Sequence, residues 1–193
     1  MALVYASADG FPANSNANGK TAKIYADHGL FTANKAITKD LVQVFKVLKR
    51  EIVQPKFKTL LVSPFNSRSS LNDLIQFEIH QAQKGLPSRI TLKMNALEDQ
   101  KMIDHLYEAS NAGVKIQLLI RGFCCLRPNV PNLSENITVT SIVDRYLEHS
   151  RVFIFHNQGN EKMFMGSADW MNRNLDKRIE VLTPILNTKV FQE

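Results

Sequence analysis

The sequence predicts an α/β fold: a mostly parallel central sheet flanked by helices and preceded by a helical arm. From residue 56 onward short apolar runs alternate with amphipathic stretches. Their order is strand, helix, strand, helix, strand, which requires parallel strands joined by right-handed crossovers. Before Pro55 only a helical period is present. The 193 residues are 44% hydrophobic and 22% charged, with 8 Gly and 7 Pro, the composition of an ordinary folded domain and not of a disordered or fibrous chain. A chain of this size buries roughly 70% of its unfolded surface and needs no disulfide or zinc staple.

Residues 1–19 carry no periodicity, and the run Asn14-Ser15-Asn16-Ala17-Asn18-Gly19 is turn-forming, so poor structure is expected there. Over 37–53, Leu41, Val44, Phe45, Leu48 and Ile52 recur at helical spacing, with Thr38 as the capped start and Pro55 as the stop. Thr59-Leu60-Leu61-Val62-Ser63 reads as a strand. Leu71, Leu74, Ile75 and Ile79 then give a helix closed by Gly85 and Pro87. Arg89-Ile90-Thr91-Leu92-Lys93-Met94 alternates as a strand, and Met102, Ile103, Leu106, Tyr107 and Ala109 mark a helix ended at Gly113. Residues 114–120 are apolar enough to be expected buried on both faces. Beyond Arg121 the candidates are strands at 137–143, 151–155, 162–165 and 178–182.

Lys and Arg number 24 against 18 Asp and Glu, a net charge of +6, which favours polyanionic partners but on its own bears on solubility and steering. Lys46, Lys49 and Arg50 fall where a solvated helix face would put them. No stretch reaches the ~18 apolar residues of a membrane span, and the N-terminus lacks the basic-then-apolar pattern of a signal peptide. The two cysteines, Cys124 and Cys125, are adjacent, which suits neither an ordinary disulfide nor a C-x-x-C metal pair. They are expected to pack rather than react, in a reducing compartment, and a cytoplasmic location is expected.

In open α/β sheets ligands settle beyond the carboxyl ends of the strands. Arg121-Gly122 lies there, after 114–120. Arg presents a planar fork of donors suited to phosphate, and Gly122 allows close backbone approach; the plainer alternative is an Arg that marks a strand end and pairs with a carboxylate. Glu148-His149-Ser150-Arg151 precedes a strand, and Gly166-Ser167-Ala168-Asp169-Trp170 follows the next one. This pairing resembles half of a phospholipase D-type site, in which a histidine attacks or protonates while a cation and a hydroxyl hold phosphate oxygens. That superfamily uses His-x-Lys with an acid four positions on. Here the base is Arg151 and that acid is missing. His28, His80, His105 and His156 have no comparable element after them, so the chain offers one half of a two-half site.

The residues also resemble the bacterial long-chain polyphosphate kinase family. The resemblance is carried by Ile120-Arg121-Gly122-Phe123-Cys124-Cys125-Leu126-Arg127-Pro128, by Leu133-Ser134-Glu135-Asn136-Ile137, and by the run from Ser141 through Asp144-Arg145-Tyr146-Leu147-Glu148-His149 to Arg151. Gly166-Ser167-Ala168-Asp169-Trp170-Met171, Arg173-Asn174-Leu175-Asp176 and Arg178-Ile179-Glu180-Val181 continue it, and Lys20-Thr21-Ala22-Lys23-Ile24-Tyr25 with Gly29-Leu30-Phe31-Thr32 extend it upstream. It implies a phospholipase D-like fold and a chain organised as 1–17, an unmatched segment or artificial leader; 18–55, the end of a first phospholipase D-like domain with its linking helix; and 56–193, the second, C-terminal domain.

The family moves the γ-phosphate of ATP reversibly onto inorganic polyphosphate through a phosphohistidine, with magnesium. Tyr25, Arg121 and His149 match its nucleotide-contacting positions, His149 as catalytic second histidine. Arg151, Ser167 and Asp169 are second-tier positions that hold or line the site. The phosphorylated His-x-Lys motif is missing from these residues, so the segment alone is expected to be inactive. No metal ligand is assigned; Mg2+ would come with ATP. The implied partners are ATP or ADP, polyphosphate, the remainder of a longer chain and further copies of it. Nucleic acid is not implied, and the basic balance is compatible with peripheral membrane association. The competing readings are a dimeric phospholipase D-type phosphodiesterase or nuclease, and a polyanion-binding module without catalysis.

Overall fold

The computed structural model describes residues 2–5, 25–26, 28–143 and 145–192. Three short strands come first: β1 (Ala2–Tyr5), β2 (Tyr25–Ala26) and β3 (Gly29–Thr32). β1 pairs antiparallel with β3, Ala2 opposite Thr32. Residues 2–5 are therefore strand where poor structure was expected, because a partner some 25 residues away, and no local period, supplies their hydrogen bonds. The turn-forming run at 14–19 lies outside the described residues.

Helix α1 (Lys35–Leu48) is capped by Asn34, not Thr38: Asn34 Oδ1 accepts the N–H groups of Ala36 at 2.9 Å and Ile37 at 3.4 Å. The Thr38 hydroxyl instead donates back to the Lys35 carbonyl, inside the helix. The helix stops at Leu48, well before Pro55, where Arg50 turns to φ 61°. Ile37 and Val44 pack on Leu60 and Val62. Between them the buried Asp40 Oδ2 accepts the backbone N–H groups of Lys58, Thr59 and Leu60 at 2.8, 2.6 and 3.0 Å.

The chain continues as β4 (Leu61–Val62), α2 (Ser67–Gln83), β5 (Arg89–Met94), α3 (Gln100–Asn111) and β6 (Lys115–Ile120). β5 and β6 are parallel, Arg89 opposite Lys115 and Met94 opposite Ile120. In β6 the exposed Lys115 and Gln117 alternate with buried Ile116, Leu118 and Ile120, so one face is covered and the other meets solvent, contrary to the two-sided burial expected. Then come β7 (Ile137–Thr140), β8 (Leu147–Glu148), β9 (Arg151–Phe155), β10 (Lys162–Gly166), β11 (Val181–Pro184) and the short α4 (Thr188–Gln192).

The main sheet has seven strands in the order β4-β11-β10-β9-β5-β6-β7. The α/β class and the flanking helices agree with expectation, but the sheet is mixed and not mostly parallel. β5, β6 and β7 are parallel, whereas β5–β9, β9–β10, β10–β11 and β11–β4 are antiparallel. The short link between β9 and β10, through a 3-10 turn at Asn157–Gly159, explains one of these steps: a parallel return needs a crossover of a dozen or more residues. β8 lies outside the main sheet and pairs in parallel with β2, Tyr25 opposite Leu147 and Ala26 opposite Glu148. Phe153 and Trp170, both fully buried, meet edge to face at 5.6 Å in the core.

Candidate active site

The strand directions collect polar residues at one end of the sheet. β4, β5, β6 and β10 finish there, and β9 and β11 start there. Asp169, three residues past β10 and buried, ties this end together. Its Oδ1 accepts the Asn95 N–H at 2.8 Å and the Ala96 N–H at 3.4 Å. The same carboxylate receives Arg151 Nε at 3.2 Å and Nη2 at 3.1 Å. Arg151 is only 1% exposed, and its Nη1 donates to the His149 carbonyl. The counter-charge missing four positions after Arg151 is thus supplied from 18 positions on.

His149 is buried, and its N–H donates to the Ala26 carbonyl at 3.1 Å. β2 therefore runs beside the residues leading into His149, and the backbone of Tyr25 lies one strand away; the Tyr25 side chain lies outside the described residues. Both neighbours of His149 are tied to one ammonium: Lys93 Nζ stands 2.6 Å from Glu148 Oε2 and 2.5 Å from Ser150 Oγ.

Arg121 follows β6 and is half-buried. Its Nε donates to Asn95 Oδ1 at 2.9 Å, and its Nη groups have no protein partner among the described residues. The fork is thus aimed by an amide, not neutralised by a carboxylate, and its outer donors remain available for phosphate oxygens. Gly122 N donates to the Asn95 carbonyl at 2.7 Å, and a Cβ at 122 would lie 2.8 Å from that oxygen, which accounts for glycine there. Arg121 and His149 are therefore linked by a continuous chain of bonds through Asn95, Asp169 and Arg151.

The Ser167 hydroxyl donates to Glu180, whose other oxygen accepts Asn174 Nδ2 at 2.7 Å. Burial pushes the Glu180 carboxyl up, against these two bonds. At the same end Arg68 bridges Asp99, the cap of α3, and Asp176, each at 2.7 Å. Burial raises the Cys124 thiol and leaves it no nucleophile; Cys125 is exposed. No group of three or more His, Cys, Asp or Glu among the described residues could hold a metal ion, and Asp99, Glu148, Asp169, Asp176 and Glu180 at this end are each engaged by a cation or an amide.

Sequence reasoning brings Arg121, His149, Arg151, Ser167 and Asp169 to this end but misses Lys93, Asn95 and Glu180. Asn95 is an ordinary post-strand residue until the fold sets it against a residue 26 positions away. Of the other described histidines, His80 is exposed, His105 lies 3.4 Å from Glu108, His156 occupies the opposite end, and His28 is exposed two residues after Ala26. A cleft of about 1320 Å³ also lies at that opposite end, lined by Phe77, His156, Lys162 and Phe191 among others, and contains none of the site residues.

A family model described as polyphosphate kinase C-terminal domain 2 matches residues 60–193, and one described as polyphosphate kinase C-terminal domain 1 matches residues 11–54. The chain is 50% identical over 177 residues to a polyphosphate kinase of Escherichia coli K12, covering 92% of this chain and 26% of that protein. It is 47% identical over 175 residues to one from Staphylococcus haemolyticus, covering 91% and 24%. A crystal structure of polyphosphate kinase from Porphyromonas gingivalis superposes with a TM-score of 0.86 at 45% identity, over 89% of this chain and 26% of that one. The chain spans about a quarter of the length of the curated relatives it matches.

Proposed function

The chain belongs to the polyphosphate kinase family, and from that premise we propose that it supplies the nucleotide- and polyphosphate-binding part of an ATP:polyphosphate phosphotransferase. The observation that carries this reading is the bonded chain from Arg121 through Asn95, Asp169 and Arg151 to His149. It holds a guanidinium whose outer N–H groups have no protein partner among the described residues, and a histidine, at one sheet end. Arg121 neutralises phosphate oxygens as charge develops on the transferred group. His149 holds or delivers a proton at the phosphate oxygen that departs or attacks. Tyr25 packs against or bonds the nucleotide. Arg151 and Asp169 hold the site, and Ser167 lines it. Magnesium enters with the ATP phosphates as part of the substrate, and the phosphorylated histidine belongs to another part of the full-length enzyme.

A phosphodiesterase would need a free basic partner beside His149, whereas Arg151 is committed to Asp169 and to a carbonyl. The test is to incubate the purified chain with magnesium and γ-labelled ATP, beside Arg121→Ala and His149→Ala. Retained binding of ATP, weakened about tenfold or more by Arg121→Ala, with no acid-labile label on the protein, is expected. Label that vanishes in His149→Ala would make His149 itself the nucleophile and overturn the division of labour. Equal, salt-sensitive binding of every polyanion by all three proteins would point to a non-catalytic module.

A further inference from the structure

We propose that Lys93 is a positioning residue for His149, an inference that rests on the role of His149 proposed above. Lys93 sits one residue before the end of β5, opposite Val152 of β9. Its ammonium reaches across to the two residues that flank His149, bonding Glu148 Oε2 at 2.6 Å and Ser150 Oγ at 2.5 Å. The His149 backbone is held at the same time, its N–H by the Ala26 carbonyl and its carbonyl by Arg151 Nη1. Backbone and both neighbours are thereby fixed, and of these ties only the one from Lys93 grips both sides of the histidine.

The arrangement does more for geometry than for stability. Lys93 and Glu148 are 21% and 32% exposed at the side chain, and pairs so open to solvent add little to folding. A small displacement of a group that must meet a reacting oxygen, by contrast, lowers rates steeply. An ammonium suits the task because its three donors serve two acceptors of different kinds at once. Methionine would fill the same stem volume and hold neither.

The test is made in a full-length polyphosphate kinase carrying this segment. Lys93→Met is expected to lower kcat for polyphosphate synthesis about 10- to 100-fold with KM for ATP changed less than about threefold. Lys93→Arg restores most of the rate, since it can still donate to both neighbours. In a His149→Gln background, where labelled ATP makes the residual turnover readable, Lys93→Met produces no further loss. Ser150→Ala, which removes one arm of the tie and leaves the charge pair, gives a smaller kcat loss that also disappears in His149→Gln, and serves alone should Lys93→Met fail to fold. A multiplicative loss in the His149→Gln background, or a raised KM at unchanged kcat, would overturn the proposal, the second outcome making Lys93 a phosphate ligand. A fully active His149→Gln would instead overturn the role of His149 itself, and the inference with it.

Discussion

Arg151 is 1% exposed and Asp169 10% exposed at the side chain, so removing either partner strands a charge in the core. Breaking such a pair is far more damaging than replacing both halves by apolar groups. Asp169→Asn is therefore expected to destabilise the chain by about 3–5 kcal/mol in urea unfolding, with Arg151→Met in the same chain recovering much of the loss. Glu180 behaves in the opposite sense. Burial raises its carboxyl, against the bonds from Ser167 and Asn174, so the fold holds its proton more tightly than the unfolded chain does. Stability linked to Glu180 is intact in acid and declines as pH rises from the ordinary carboxylate range through the raised value. Glu180→Gln is expected to melt above the parent near pH 8, the gap closing toward pH 4; a gap that widens in acid would contradict the assignment. At this scale the motif residues Arg121, His149 and Ser167 were legible because phosphate chemistry uses few side-chain types. Asn95 and Lys93 were not, because each gains meaning only from a partner far along the chain, and Glu180 was not, because only the fold buries it against Ser167 and Asn174.

At the scale of elements, the strands predicted at 89–94 and 151–155 form over those residues, since strict alternation with a buried face leaves one register open. Helix α1 shows the weakness of local reading: Asn34 and Thr38 are both competent caps, and the packing of Ile37 and Val44 on Leu60 and Val62 selects the earlier one. Ends are also joined across elements. Arg68, in the first turn of α2, grips the cap of α3 through Asp99 and the π-helical turn at Arg173–Lys177 through Asp176. Burial raises the Asp99 carboxyl, but the bonds from Arg68 and the Met102 N–H outweigh it, and the net shift is downward. Stability from Asp99 is thus present above the ordinary carboxylate pKa and lost as pH falls through the lowered value. Asp99→Asn is expected to remove about 2 kcal/mol at neutral pH and progressively less in acid, read as melting temperature against pH. At Gly166 an added Cβ would overlap the Val181 carbonyl oxygen and lie 2.9 Å from Leu182 Cα, both backbone. Gly166→Ala should therefore destabilise by about 1–3 kcal/mol and displace the strand that leads to Ser167, visible in amide exchange at β10 and β11.

At the scale of the whole molecule, two devices join the arm to the sheet. Asp40 gathers three successive backbone N–H groups at 58–60, and β2 pairs with β8 on the approach to His149. Asp40→Ala leaves three N–H groups without their acceptor and is expected to cost about 2–3 kcal/mol. It should also accelerate amide exchange in α1 while β5, β6 and β9 remain protected; uniform loss of protection would show that arm and sheet unfold as one unit. The α/β class, the helical arm, the central strands and the resemblance to the polyphosphate kinase family are all readable from residue order, because periodicity and motif chemistry are local properties. The mixed sheet, the short strands at 2–5, 25–26 and 147–148, and the network in which Asp169 and Asn95 join Arg121 to His149 arise only in the folded chain. Strand direction depends on connections and on which edge remains open, and a buried carboxylate acquires its partners only when distant segments close around it.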